Sequence, residues 1–338
     1  MDDRYQDTYR AMIRYYIEDK TMEDIARELG VSRSSVSRML KQARELGLVR
    51  ISVSSRPNDQ SVISSILGEA FGVQTHLVPL PASTSNLDRL DRVSRVAAQI
   101  LTESMQPGHV LGVAWGETMA QVAKHLGRQP LVDCLVVQVN GGSNSHNSGL
   151  SYVGDILQRI AWAFGGKVVL FPVPAFFDHD DTKEAMWRES SVRRILELRE
   201  RMDALVFGVG CLTSTVPSYM YASGYFELVQ LKEIASRGVV GDVCGVLLRE
   251  DGTWRGIPYN TRATGLTPDE MKKTPRRICV AADASRAPAI VAALRAGAAT
   301  DIIIDDATAR AVIEKARLSL KADSWLDSMH HDIRVREH

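Results

Sequence analysis

The sequence predicts an α/β protein in two parts, an N-terminal all-α helix-turn-helix domain and a larger, doubly wound α/β domain. Three observations predict it. Residues 5–46 keep a helical period with capping residues and a turn glycine, Gly30. From Val73 onward, β-branched apolar runs alternate with amphipathic helical stretches. Glycine- and hydroxyl-rich segments follow several of those runs, where parallel sheets bind ligands.

The chain has 338 residues, 45% hydrophobic and 24% charged, enough to bury a full core in two domains. The expected division is a helix-turn-helix domain with a short wing and linker over 1–56, a larger α/β domain over 57–325, and a charged tail over 326–338. Formal net charge is zero, which excludes a global basic field, so any nucleic-acid signal has to be local. Met1-Asp2-Asp3-Arg4 does not open a signal peptide. No stretch approaches the roughly 18 apolar residues of a membrane helix. A cytoplasmic protein without membrane contact is expected. Cys134, Cys211, Cys244 and Cys279 are scattered without a CxxC pair, which favours reduced, buried thiols over a metal site or disulfide. No cofactor or metal is expected.

In the first helix Tyr9, Met12, Ile13 and Tyr16 share one face. Thr21-Met22-Glu23-Asp24 has the form of a capping box. The helix it starts turns Met22, Ile25, Ala26 and Leu29 inward, and Gly30 ends it in a left-handed conformation. Ser32 caps a third helix whose apolar positions are Val36, Met39, Leu40 and Ala43. A small Ala26 at the crossing, a turn glycine and apolar Ile25 and Val36 make the helix-turn-helix pattern. Between Leu29 and Arg44 stand four basic residues and no acidic one. Arg33, Ser34, Ser35 and Arg38 are expected nearest bases, with Lys41 and Arg44 at phosphates. Thr21, Ser32 and Ser37 complete the candidate operator-DNA contacts. Residues 47–53 change to a strand period, suggesting a short wing, and 54–59 read as a linker.

In the large domain the candidate strands are Val73–Leu80, Val110–Ala114, Cys134–Val139, Val168–Phe171, Ala204–Val209, Arg277–Ala281 and Asp301–Ile304. Between them run helical stretches such as Leu87–Met105, Thr118–Leu126, Tyr152–Phe164 and Arg286–Ala296. Candidate ligand loops are the Gly112–Thr118 run, with Trp115, Gly116 and Glu117, and the Asn140–His146 run, with Gly141 and Gly142. Gly208-Val209-Gly210-Cys211 and the Ala281–Arg286 run read as two more. Gly241-Asp242-Val243-Cys244-Gly245 offers a carboxylate between glycines, suited to sugar hydroxyls. The first loop is neither a P-loop nor a dinucleotide fingerprint. A shared polar pocket at the strand ends is the expectation.

These residues, in this order, resemble the SorC family of sugar-responsive bacterial regulators along nearly the whole chain. The resemblance rests on Asp24 through Val49, the Gly112–Thr118 loop and Pro172-Val173-Pro174-Ala175-Phe176. Tyr219 to Phe226, the Gly241–Gly245 run and the Ala281–Arg286 loop complete it. It implies a large domain folded like sugar-phosphate isomerases but acting as a sensor, in a homodimer or homotetramer on operator DNA. It further implies a phosphate near Gly116 and Thr118, and ligand contacts from Asp242 and Arg286. Two departures bear on the ligand. Arg286 stands where the family commonly has Lys, and its guanidinium stays protonated. Glu117 puts a carboxylate in the phosphate loop. Pointing inward, it favours a neutral sugar or polyol; turned away or paired with Arg286, it leaves the loop amides free for phosphate. The expectation leans slightly to the unphosphorylated ligand.

The rival reading is a sugar-phosphate isomerase or lyase with an appended DNA-binding head. Asp242, Asp283, Glu117 and His146 could serve it, but no pair has diagnostic spacing. His330-His331 reads as solvated tail. A third reading makes the large domain only an oligomerisation platform.

Overall fold

The computed structural model describes residues 3–45, 48–49, 57–144, 150–212, 214 and 218–318. The chain divides into two units between Ser55 and Arg56.

Helices α1 (Asp3–Tyr16), α2 (Met22–Leu29) and α3 (Arg33–Glu45) form the first unit. Thr21 caps α2 by accepting the Asp24 amide proton at 3.2 Å, and its hydroxyl donates to the Asp24 carboxylate at 2.7 Å. Such a cap is worth about 1 kcal/mol. Gly30 ends α2 at φ +65°, a conformation glycine adopts without steric cost. Ser32 takes the Ser35 amide proton at 3.2 Å and starts α3. Ala11, Ile25, Ala26, Val36 and Leu40 make the core. The expected face of α1 is corrected at one position. Tyr9 is 47% exposed, and the buried stripe is Thr8, Ala11 and Met12. Small Ala11 lets α1 lie close against Val36 and Leu40 of α3, where a tyrosine would hold it off.

The wing expected over 47–53 lies outside the described residues except for Leu48 and Val49. Of the linker expected over 54–59, residues 54–56 lie outside. Pro57 instead opens α4 (Pro57–Phe71), because the first helical turn tolerates proline. Ile63 and Leu67 bury one face of α4. His146 and the tail lie outside the described residues.

The second unit is built on β1 (Gln74–Val78), β2 (Val110–Val113), β3 (Leu135–Gln138), β4 (Lys167–Val169), β5 (Ala204–Cys211), β6 (Val239–Val243), β7 (Val246–Arg249), β8 (Arg276–Ala281) and β9 (Asp301–Asp305). The parallel sheet runs β1-β9-β8-β5-β2-β3-β4. All seven expected strands are present within a few residues of their predicted ends. Alternate residues of β5 face opposite layers. Ala204 and Val206 pack with α5 (Asn86–Ser104), α6 (Glu117–His125) and α7 (Leu150–Phe164), whereas Leu205 and Phe207 pack with α4 and the helix Ala287–Arg295. That alternation makes the sheet doubly wound.

The hairpin β6–β7 was not expected. Gly208-Val209-Gly210-Cys211, read as a loop, continues β5, and Gly241-Asp242-Val243 pairs antiparallel with it. Ala204–Gly208 pairs with β8, so one strand serves both the parallel sheet and the hairpin. Cys244 and Gly245 form the two-residue turn, with φ of +51° and +80°. Positive φ at both positions matches the twist of tight hairpins.

Candidate functional site

On the first unit, Thr21, Ser32, Arg33, Ser34, Ser37, Arg38 and Lys41 are exposed, and Ser35 is half-buried. Arg44 lies within α3, but its side chain is outside the described residues. The face is organised by local bonds. Ser32 Oγ lies 2.8 Å from Ser34 Oγ and 2.9 Å from Ser35 Oγ. Arg38 folds back along α3, with Nε 3.4 Å from the Ser34 carbonyl oxygen. Arg33 Nε meets Glu23 Oε1 at 2.6 Å. The first turn of α3 is free of acids, as read, but α2 supplies one to its first arginine.

In the second unit a cavity of about 480 Å³ opens at the carboxyl ends of β2, β3, β5 and β8. It has the volume of a small metabolite site. Of the ten candidate effector residues, Trp115, Gly116, Glu117, Thr118, Asn140, Asp242 and Arg286 line it. Gly112, Gly141 and Gly142 do not; they are packing glycines. A Cβ on Gly112 would fall 2.2 Å from Met202 Sδ, and one on Gly141 would fall 2.1 Å from the Pro174 carbonyl oxygen. A Cβ on Gly142 would meet Val153 Cγ2 at 2.9 Å.

The first turn of α6 forms one wall. Gly116 precedes it at φ +154°, ψ 175°, a region open essentially to glycine alone. No side chain caps this helix, so its leading amides keep their donor capacity. Glu117 does not turn over them. Its carboxylate accepts a proton from Gln121 Nε2 at 3.1 Å, one turn further along. Trp115 is braced by its indole N–H, which donates to the carbonyl oxygens of Asn140 (3.1 Å) and Gly141 (2.9 Å). Trp115 stacks on Tyr225, and Tyr219 stands edge-on to it.

The opposite wall carries Asp242, which is 5% exposed. Tyr221 donates its hydroxyl proton to Oδ1 at 2.9 Å, and the Gly245 amide donates to Oδ2 at 3.0 Å. Burial pushes this carboxyl above its usual range, opposed by Tyr221, the Gly245 amide and the Arg286 charge. The neighbouring glycines are closely packed, Gly210 beyond the tolerance of any side chain. A Cβ on Gly210 would sit 1.8 Å from Asp242 Oδ1, and one on Gly208 would sit 3.1 Å from Thr118 Oγ1. Arg286 donates to Ser218 Oγ at 2.8 Å and to the Val209 carbonyl at 3.4 Å. Its Nε is 3.9 Å from Asp283 Oδ2. Asp283 is itself engaged, accepting from the Ser285 amide (3.0 Å) and hydroxyl (2.8 Å).

A third wall comes from Asn86, Leu87 and Leu90 on α5. Arg89 anchors it from behind, donating to Asp305 at 2.7 Å and to the Thr84, Ala82 and Pro81 carbonyls at 3.0–3.2 Å. Sequence reasoning missed this wall and Ser218; Tyr219, Met220 and Tyr221 entered it only within the Tyr219–Phe226 stretch of the family resemblance, and Cys244 only as a member of the Gly241–Gly245 run. The Cys244 thiol, buried and beside Asp242, is pushed well up and stays protonated.

Comparison with known proteins places these features in context. Residues 55–314 match a family model described as "Putative sugar-binding domain", and residues 7–46 match the model of sigma-70 region 4. The chain is 31% identical over 302 residues to the deoxyribonucleoside regulator of Bacillus subtilis, covering 88% of this chain and 94% of that protein. It is 29% identical over 307 residues to the transcriptional regulator LsrR of Klebsiella pneumoniae, covering 89% and 91%. Among solved structures, a domain of a possible sugar-binding transcriptional regulator from Arthrobacter aurescens is 40% identical with a TM-score of 0.71. It covers 77% of this chain and 100% of its own. The full-length sorbitol operon regulator SorC of Klebsiella pneumoniae shares the fold at 19% identity, with a TM-score of 0.68, covering 92% and 100%.

Proposed function

This chain belongs to the SorC-type family of sugar-binding transcriptional regulators, and from that premise we propose how its effector is held. A sugar or polyol phosphate occupies the cavity between α6 and the β6–β7 turn and alters operator binding by the helix-turn-helix unit. The observation that carries the phosphate is the uncapped first turn of α6, with Glu117 drawn along the helix to Gln121. This reverses the slight lean of the sequence toward an unphosphorylated ligand. A carboxylate about 4 Å from a phosphate would repel it by roughly 4 kcal/mol at an effective dielectric near 20. Turned toward Gln121, it leaves the helix start available to an anion. Arg286 adds positive charge, and Asp242 accepts from sugar hydroxyls. The Bacillus relative is named for deoxyribonucleosides, so pentose phosphates belong among the ligands to try.

The domain senses rather than catalyses in this reading. Both oxygens of Asp242 and the Oδ1 of Asp283 accept from internal donors, so among the described residues these two carboxylates do not form a poised acid–base pair. On the head, Arg33, Ser34, Ser35 and Arg38 approach bases, Lys41 and Arg44 approach phosphates, and Thr21, Ser32 and Ser37 support them. The protein acts in the bacterial cytoplasm as a homodimer or homotetramer, since paired heads on repeated half-sites multiply a weak single contact.

Calorimetry comparing sugars with their phosphates tests the effector reading, with mass spectrometry of the recovered ligand to detect turnover. Phosphate-dependent binding without conversion is expected, and it should release or strengthen binding to a selected operator. Conversion of the ligand would establish an enzyme instead. Sedimentation showing a monomer both free and on DNA at micromolar concentration would remove the oligomer.

A further inference from the structure

Asn140 follows β3 and lines the cavity, yet it is only 3% exposed. Its main chain is firmly held: the carbonyl oxygen accepts from Gln138 Nε2 at 2.8 Å and from Trp115 Nε1 at 3.1 Å. Its side chain is not satisfied in the same way. Asn140 Oδ1 is buried and has no hydrogen-bond partner. Native proteins seldom leave a buried acceptor unmatched, and the exceptions call for a cause.

The surroundings point to that cause. Asn140 Nδ2 lies 4.0 Å from where a Cβ on Gly245 would be. The amide of that same Gly245 donates to Asp242 Oδ2. On the other side, Gly265 packs so tightly that a Cβ would fall 3.2 Å from Asn140 Cβ and 1.6 Å from the Cys244 carbonyl oxygen. Asn140 and Asp242 therefore flank one turn, Cys244–Gly245, and both residues line one cavity. Two acceptors around a shared turn suit a ligand with two hydroxyl donors. An ammonium donor fits less well, because the Arg286 guanidinium lines the same cavity.

We propose that Asn140 is the specificity-determining acceptor of this cavity: its Oδ1 takes a hydrogen bond from a ligand hydroxyl and selects a hydroxylated carbon over a deoxygenated one beside the group held at Asp242. This rests on the cavity being the effector site. The site trades a bond within the protein for discrimination between ligands, because a deoxy analogue leaves the buried oxygen unmatched.

The test uses the full chain and defined probes: ribose 5-phosphate against 2-deoxyribose 5-phosphate, and glucose 6-phosphate against its singly deoxygenated analogues. Wild type should bind at least one parent about 10-fold or more tightly than one analogue. Asn140→Ala should bring that ratio close to one by weakening the parent alone. Asn140→Asp, which keeps the acceptor, should retain the preference. Arg286→Ala should weaken parent and analogue alike. Without ligand, Asn140→Ala should melt at or above the wild-type temperature, because it removes an unmatched polar atom. A preference that persists in Asn140→Ala, or is absent from wild type, overturns the assignment and leaves the cavity reading standing. A fall of many degrees in the melting temperature of unliganded Asn140→Ala also overturns it, by making the side chain a structural one. Binding that ignores Arg286→Ala overturns the cavity reading, and no binding of any probe to wild type overturns both.

Discussion

Tyr221 holds Asp242 through a 2.9 Å hydrogen bond between two side chains that are each more than nine-tenths buried. Tyr221→Phe removes that donor and pushes the Asp242 carboxyl, already raised by burial, further up. The sign follows from linkage. Below about pH 4 the carboxyl is protonated folded and unfolded, and only a neutral bond of about 1 kcal/mol is lost. As pH rises and the carboxyl ionises, the deficit should grow to roughly 1.5–3 kcal/mol. Urea unfolding of both proteins at pH 4 and pH 7.5 checks this, and an equal deficit at the two pH values would refute it.

Gly210→Ala should displace Asp242, because the added methyl would come within 1.8 Å of Oδ1. The strand and hairpin cannot both keep their register, so a loss of about 1–3 kcal/mol is expected. Effector affinity should fall further than Asp242→Asn alone makes it fall, since the wall itself moves. Calorimetry beside a thermal melt would reveal the two effects separately.

On the head, Arg33 and Glu23 form an exposed pair, of the kind that adds at most about 1 kcal/mol to stability. Arg33→Ala should therefore leave the melting temperature nearly unchanged. It should cost about 1–3 kcal/mol of operator affinity, concentrated at one base pair. Glu23→Gln should raise affinity for all DNA and steepen the salt dependence, because an acid leaves the face. Fluorescence anisotropy over a salt series measures both. Wild-type affinity in an Arg33/Arg38 double alanine variant would refute the placement of α3.

Asp301 gives an acid-range prediction. Burial alone would raise its carboxyl, but His76, Thr300 and Arg276 hold it down at about 2. A depressed carboxyl stabilises the fold above its unfolded value near 4 and loses that contribution as pH falls through 2. The shift corresponds to roughly 2 kcal/mol. Asp301→Asn should be less stable by about that amount at pH 7, with the gap closing toward pH 2. A gap of constant size across that range would count against it.

The parallel sheet was legible because its inner strands, β5 and β9 above all, carry unbroken apolar stretches, which a sheet covered on both faces demands. The β6–β7 hairpin was not. Its turn uses Cys244 at positive φ, a residue that gives no turn signal. Gly208 and Gly210 looked like loop residues, but they are strand residues kept small by Thr118 and Asp242. The helix beginning at Pro57 was hidden by its polar opening, although Ile63 and Leu67 carry its period. Most candidate effector residues reach one cavity because strand ends converge whatever their side chains. The α5 wall escaped notice because its anchor, Arg89 on Asp305, joins positions 216 apart in the chain.

The Gly208 and Gly210 positions carry a consequence for retargeting the protein to a new inducer. This stretch of the cavity is main chain; Gly210 has no room for a larger residue, and at Gly208 even a methyl group requires the Thr118 side chain to give way. Random mutagenesis there would yield damaged proteins rather than altered preference. Useful diversity lies on the rim, at Leu87, Leu90, Glu117 and Tyr219, where side chains can change without disturbing the strand beneath. A biosensor library confined to those four codons, with Asn140 and Asp242 left alone, would spend its variants where the scaffold can absorb them.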